Sequence, residues 1–344
     1  MKKFTGILIC LIFILFLMDG CGKKEEETAD IHITALKGPT AMGMVKMMED
    51  MGTDAEGLST DGSPYQFAIV SSVDEVTPKL IQGNTDIAAI PANLASVLYN
   101  NTDGQLKVLA INTLGVLYLV DMDGSIQSVN DLKGKTIYAS GKGATPEYAL
   151  NYILSANGID PEGDVTIEWK QEHSECVAAL ANSLDGEEEH DGNVISEGAV
   201  ALLPQPFVTI AQEKNAKIQI ALDLTDEWDK LQIEEKKGVM ITGVIVARKE
   251  FVEKNPEAVN QFLDSYKNSV EYVNSNITEA AALIEKNNIV PAAIAQKALP
   301  YCNIVYIEGK EMKEKLSGYL NILKEQNPKS IGGEVPADEF YYIR

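Results

Sequence analysis

The stretch Ile31-His-Ile-Thr-Ala-Leu-Lys37-Gly38-Pro39-Thr40 decides the fold, because its pattern returns at Thr136-Ile-Tyr-Ala-Ser140-Gly141-Lys-Gly-Ala-Thr145-Pro146-Glu147. In both, an apolar run reads as a strand, a glycine turn follows, and a proline stands where a helix opens. Proline suits the first helical turn, since the N–H it lacks has no intrahelical partner there. The following elements match too. After the first copy come a strand at 67–72, a helix at 73–82 stopped by Gly83, and a strand at 85–93 containing Ala-Ile-Pro91-Ala-Asn93. After the second come a strand at 165–169, a helix at 174–184, and a strand at 198–206 containing Leu-Leu-Pro204-Gln205-Pro206. Two β-α-β-α-β units in tandem predict an α/β protein of two lobes, each a mostly parallel sheet flanked by helices.

Parallel sheets bind ligands beyond the carboxyl ends of their strands. In the first unit those positions are Gly38, Pro39, Thr40, Ser71, Ser72, Pro91, Asn93 and Asn112, the last in the run 108–113, read as the final parallel strand. In the second they are Ser140, Gly141, Gly143, Thr145, Pro204 and Gln205. These are the candidate ligand-binding residues. A glycine turn at a helix start aims unpaired N–H groups at one spot, backed by the positive end of the helix dipole. The Gly141 turn, with Thr145 as cap, thereby suits a carboxylate, sulfonate or phosphate. Ser72 and Glu75 have capping-box spacing, so Ser71 and Ser72 read equally as a plain helix start. Lys37 and Lys142 flank the glycine turns, either as cations for the ligand or as solvent-exposed side chains. Trp169 and Trp228 either stack on a planar ligand or pack into the second lobe.

The run 114–121 leads away from the first unit, and 240–248 mirrors it on the way back. Lobe 1 is therefore expected over 31–113 plus 243–344, and lobe 2 over 114–242. Asn255-Pro256 opens an amphipathic helix with Val259, Phe262, Leu263, Tyr266, Val270 and Val273 on one stripe. Further helices are expected near 278–288, 291–299 and 309–326. Two crossings side by side make a hinge, which lets two lobes close on a ligand in the cleft.

Residues 1–20 read as a signal peptide. Lys2 and Lys3 precede an unbroken apolar run at 7–18, and spanning a bilayer takes roughly 20 such residues. Gly20 before Cys21 resembles the lipobox of bacterial lipoproteins, whose cysteine is lipidated and becomes the new N-terminus. Asp19 departs from the small neutral residue usual there. Residues 21–30 then form a lipidated tether, and the protein is expected on the outer face of the cell membrane.

Composition closes off other classes. With 344 residues and 45% of them apolar, the chain has material for two cores. A formal charge of −22 repels phosphate backbones, which excludes nucleic acid as a partner. Cys176 and Cys302 either pair or remain as two buried thiols. His32, His173 and His190 stand in no metal-ligand spacing, so no metal is expected. There is no Gly-x-Ser-x-Gly and no Cys/His pair for nucleophilic catalysis. Gly134-Lys135-Thr136 lacks the glycine a phosphate loop needs five positions earlier, where Val129 stands, and Gly141-x-Gly143 lacks a third glycine at Pro146. The acidic stretch from Asp185 to Asn193 reads as a solvated loop or a calcium site, and its lack of ordered ligand spacing favours the loop.

Six motifs, taken in order, resemble a known family. They are Leu36-Lys-Gly-Pro-Thr-Ala-Met42, Gly83-Asn-Thr-Asp-Ile-Ala88 running into Pro91, Asp131-Leu-Lys-Gly-Lys-Thr-Ile137, Gly143-Ala-Thr-Pro146, Leu203-Pro-Gln-Pro206, and Val246-Ala-Arg-Lys-Glu-Phe-Val252 before Asn255-Pro256. From about residue 30 to its end the chain is similar to substrate-binding lipoproteins of ABC importers. The resemblance is to the nitrate/sulfonate/taurine class, related to thiamine-precursor-binding proteins. It implies a type II periplasmic-binding-protein-like fold with the ligand cleft at the hinge. It also implies capture of a small anionic or polar organic molecule for an ABC transporter permease, by a monomer without a cofactor. The competing reading is an enzyme on the same fold, of the pyrimidine-precursor synthase or menaquinone-pathway lyase type. The synthases carry a cysteine cluster and a histidine-rich site, neither of which occurs here, and both enzyme types are intracellular.

Overall fold

The computed structural model describes residues 30–52, 64–185, 199–232 and 238–344. The expected signal peptide, Cys21, most of the tether, His190 and residues 186–193 of the acidic stretch lie outside the described residues. The first elements are β1 (Ile31–Leu36), α1 (Pro39–Met42), α2 (Val45–Asp50), β2 (Tyr65–Val70), α3 (Val73–Gln82), β3 (Ile87–Pro91), α4 (Ala92–Asn101) and β4 (Leu106–Leu114). Next come β5 (Leu117–Asp121), β6 (Thr136–Ser140), α5 (Thr145–Ala156), β7 (Thr166–Lys170), α6 (His173–Asp185), β8 (Val200–Pro204), α7 (Phe207–Lys214), β9 (Gln219–Asp223) and α8 (Leu224–Leu231). The chain ends with β10 (Ile241–Arg248), α9 (Lys249–Lys254), α10 (Pro256–Ser275), α11 (Ile277–Lys286), α12 (Ala292–Ala298), β11 (Ile304–Ile307) and α13 (Gly309–Gln326).

The strands form two mixed sheets, ordered β11-β4-β10-β3-β1-β2 and β7-β6-β8-β5-β9. Read from β2 and from β7, both follow one plan: second strand, first, third, an antiparallel return strand, fourth. The repeat seen in the sequence is thus a repeat of topology. Each return strand is brought in by a crossing of the chain. β5 arrives from the first sheet and lies antiparallel between β8 and β9, while β10 arrives from the second and lies antiparallel between β3 and β4. The run 108–113, read as the final parallel strand of the first unit, keeps that direction but is not paired to a parallel strand. β4 points the same way as β3, but both strands beside it, β10 and β11, run antiparallel to it.

Alternation along the strands sorts side chains between two faces. Leu117 and Leu119 of β5 enter a core that also takes Ile90, Val246, Trp228 and Tyr319, whereas Tyr118 and Val120 face a smaller core with Cys176 and Val208. The first of these cores runs through both sheets. α13 supplies its wedge, because the Tyr319 ring lies 5.7 Å from that of Trp228 and its hydroxyl donates to Thr145 Oγ1 at 3.3 Å. A third core lies on the opposite face of the first sheet under α10, whose predicted stripe from Val259 to Val273 is wholly buried. Cys176 and Cys302 are both buried free thiols, which decides against a disulfide.

Candidate functional site

A cavity of about 590 Å³ opens where the carboxyl ends of the two sheets meet. Lys37 and Gly38 reach it from the end of β1, Ser71 from β2, Ser140 and Gly141 from β6, and Gln171, Glu172 and His173 from beyond β7. Pro206, Phe207 and Ile210 come from the start of α7, and Ile289 and Val290 from the link between α11 and α12. A second cavity of about 380 Å³, along the edge of β2, shares Lys37 and Ser71 with it. Of the candidate residues, Gly38, Ser71, Ser140 and Gly141 line the main cavity.

The other candidates brace this site from behind or stand apart from it. Thr40 is buried and its hydroxyl donates to Leu36 O at 2.7 Å, while Asn112 Nδ2 donates to Thr40 O at 3.2 Å. Those two bonds hold α1 against β1 and β4. Asn93 donates to Ser330 O, and Pro204 pairs with Leu117 inside the second sheet. Gln205 Oε1 accepts from Thr209 Oγ1 at 2.9 Å. Thr145 is the first residue of α5 and not its cap, since Ala144 occupies that position. Its hydroxyl is taken by Tyr319. Trp228 is fully buried in the core and donates to Gly238 O.

The helix starts around the cavity carry their own anions. Glu75 Oε1 accepts from Ser71 N and Ser72 N at 3.0 and 3.1 Å. Glu147 Oε2 accepts from Gly143 N at 2.6 Å. Glu175 Oε2 accepts from Gln171 N and Glu172 N at 2.8 and 3.3 Å. In α3, α5 and α6 alike, a glutamate three residues past the cap folds back over the loop amides. The positive φ of Gly141 (83°) and Gly143 (80°) matches the turn read from the sequence. The Gly143 amide, however, faces Glu147. A ligand anion there has to displace a carboxylate that is already in place. The spacing Ala144-Thr-Pro-Glu147 and Glu172-His-Ser-Glu175 is the signal by which the sequence announces this.

His173, Phe207 and Gln171 went unread because a residue at a helix start does not reveal which loop it will face. Ser140 Oγ and His173 Nδ1 lie 2.5 Å apart, and the imidazole packs on Phe207 with centroids 4.6 Å apart. Burial lowers the His173 pKa to about 4, so the ring is neutral at pH 7 and shares one proton with Ser140 across the Oγ···Nδ1 contact. Among the described residues no group of three or more His, Cys, Asp or Glu side chains is arranged to hold a metal ion.

The model of one protein family, described as "ABC transporter, phosphonate, periplasmic substrate-binding protein", matches residues 46–298. The chain belongs to this phosphonate-binding family. As a member of the family, it is a substrate-binding protein of an ABC transporter. YtlA of Bacillus subtilis (strain 168) is 21% identical over 340 residues, covering 89% of this chain and 95% of that protein. Among solved structures, an ABC transporter protein from Parabacteroides distasonis superposes with a TM-score of 0.71 at 24% identity, over 92% of this chain and all of the other. The periplasmic aliphatic sulphonate binding protein SsuA from Escherichia coli follows at 0.68 and 15% identity, over 91% of each chain. At those identities the superpositions establish the two-lobed periplasmic-binding-protein fold alone, and they agree with the family resemblance read from the motifs.

Proposed function

We propose that this protein captures a small organic molecule with one anionic or polar head in the cavity between the ends of its two sheets, and presents it to the transporter permease as a monomer. The observation that carries this reading is the cavity itself. Its volume of about 590 Å³ lies in the range of small-molecule sites, about 300–1,000 Å³, and four separate strand ends converge on it. Lys37 offers a cation for the head, and Gly38, Ser71, Ser140 and Gly141 surround the same space. Thr40, Asn112, Gln205 and Thr145 act behind the ligand by fixing these loops, and Ser72, Gly143, Pro39, Pro91, Asn93 and Pro204 shape the turns. The lobes are 31–113 plus 243–344 and 114–242, hinged at the links into β5 and β10. The protein performs no catalysis of its own.

The anchor belongs to the same proposal. Residues 1–20 direct export, and Cys21 carries the lipid that keeps the protein at the outer face of the membrane. Mass spectrometry of the small molecules released from gently extracted protein tests the ligand half, with one species expected at one per chain. Cys21→Ser tests the anchor. The variant is expected in soluble fractions, and full retention at the membrane contradicts lipidation.

A further inference from the structure

Part of the cavity wall is apolar. Phe207 and Ile210 on α7 are half-buried, with Phe207 packed onto the smaller core of the second sheet. Across from them, Ile289 belongs to the core under α10 and Val290 packs against it. The two sides are held in register beyond the cavity. Lys297 on α12 pairs with Glu213 on α7, and Tyr118 Oη donates to Tyr301 O at 3.2 Å. His173 completes the wall. Its Nδ1 is engaged with Ser140 Oγ, and its ring packs on Phe207 with centroids 4.6 Å apart. Phe207, Ile210 and Val290, all half-buried, leave a place for an apolar group on a cavity of this size, since covering them removes more apolar surface from water.

We infer that the ligand carries an aromatic or branched apolar body beside its head, and that the body seats between Phe207–Ile210 and Ile289–Val290 against the edge of His173. The proposal rests on the reading of the cavity as the ligand site. It narrows the substrate class to aryl or bulky-alkyl organic anions, as against bare oxyanions or one-carbon phosphonates. Phe207 and His173 become specificity residues of the second lobe. An aromatic body gains offset contact with Phe207 and the edge of the neighbouring imidazole.

Calorimetric titration of the full chain with methylphosphonate, phenylphosphonate, methanesulfonate, benzenesulfonate and the headless benzamide tests this. The aryl anions are expected to bind at least about tenfold tighter than their methyl partners, the size of effect that about 1.4 kcal/mol produces. Phe207→Ala should erase that preference, and Phe207→Leu should restore part of it. Equal or tighter binding of the methyl anions by the native protein overturns the inference and leaves the anionic-head reading intact. Benzamide binding without any anion binding upholds the apolar slot and overturns the head. Binding of none of the five overturns both.

Discussion

Arg248 Nη2 donates to Asp86 Oδ1 at 2.6 Å, and this ion pair fastens the end of β10 to the start of β3. The same guanidinium donates through Nε to Thr85 O, and the other carboxylate oxygen accepts from His32 N at 3.0 Å. Two of the motifs that carried the family resemblance, Gly83-Asn-Thr-Asp86 and Val246-Ala-Arg248, therefore touch one another. Their shared role is to lock the returning strand into the first sheet. Removing one member of a largely buried pair strands the other charge, at about 3 kcal/mol. Arg248→Met is expected to lose that much in urea unfolding, and adding Asp86→Asn should return part of it. Single-variant losses below about 0.5 kcal/mol would show that the pair contributes little.

Gly115 sits in the tightest glycine site among the described residues. A Cβ there would lie 2.2 Å from Thr225 Oγ1 and 2.4 Å from Met240 Cε, so the link from β4 to β5 has no room for a side chain. Gly115→Ala is expected to destabilise by about 1–3 kcal/mol, as overpacking does, because Thr225 on α8 and Met240 at the second crossing both stand against it. Thermal unfolding reads it. Pairing the change with Thr225→Ala and Met240→Ala should relieve much of the loss if crowding is the cause.

The first strand, its glycine turn and the proline that opens the helix were legible at residues 31–40 and 136–147, because alternation and φ-restricted residues act locally. So was the stripe of α10. β11 was not, since four residues at a sheet edge carry too short a pattern. The candidate cavity could be anticipated only as a set of strand ends, and not as a set of contacts. Ser140 and His173 are separated by 33 residues, and only the pairing of β6 with β7 brings their loops together. Backbone amides expected to face the ligand at Gly143 are instead met by Glu147, an acid whose spacing was visible but whose direction was set by the helix start.

His173 gives stability a pH dependence whose sign follows from its burial. Its pKa falls from 6.5 to about 4 on folding, through loss of solvent. Between those values the unfolded chain binds a proton that the folded chain does not, so stability rises with pH across that window. The contribution is complete above pH 6.5 and is lost as pH falls toward 4, on the order of 2–3 kcal/mol. The difference in unfolding free energy between native protein and His173→Gln should accordingly shrink or reverse as pH drops from 7 to 4.5. A difference that stays constant over that range would mean the imidazole keeps an ordinary pKa.

On the proposed reading, the ligand lies where the ends of the two sheets converge. Ser71 is exposed at that cavity and its side chain can be enlarged without entering the core. Native mass spectrometry of gently extracted protein should therefore show a one-to-one small-molecule adduct in the native chain and none in Ser71→Trp, with the two ligand-free proteins melting within about 2 °C of each other. An adduct of the same mass and occupancy on Ser71→Trp would contradict the placement of the site.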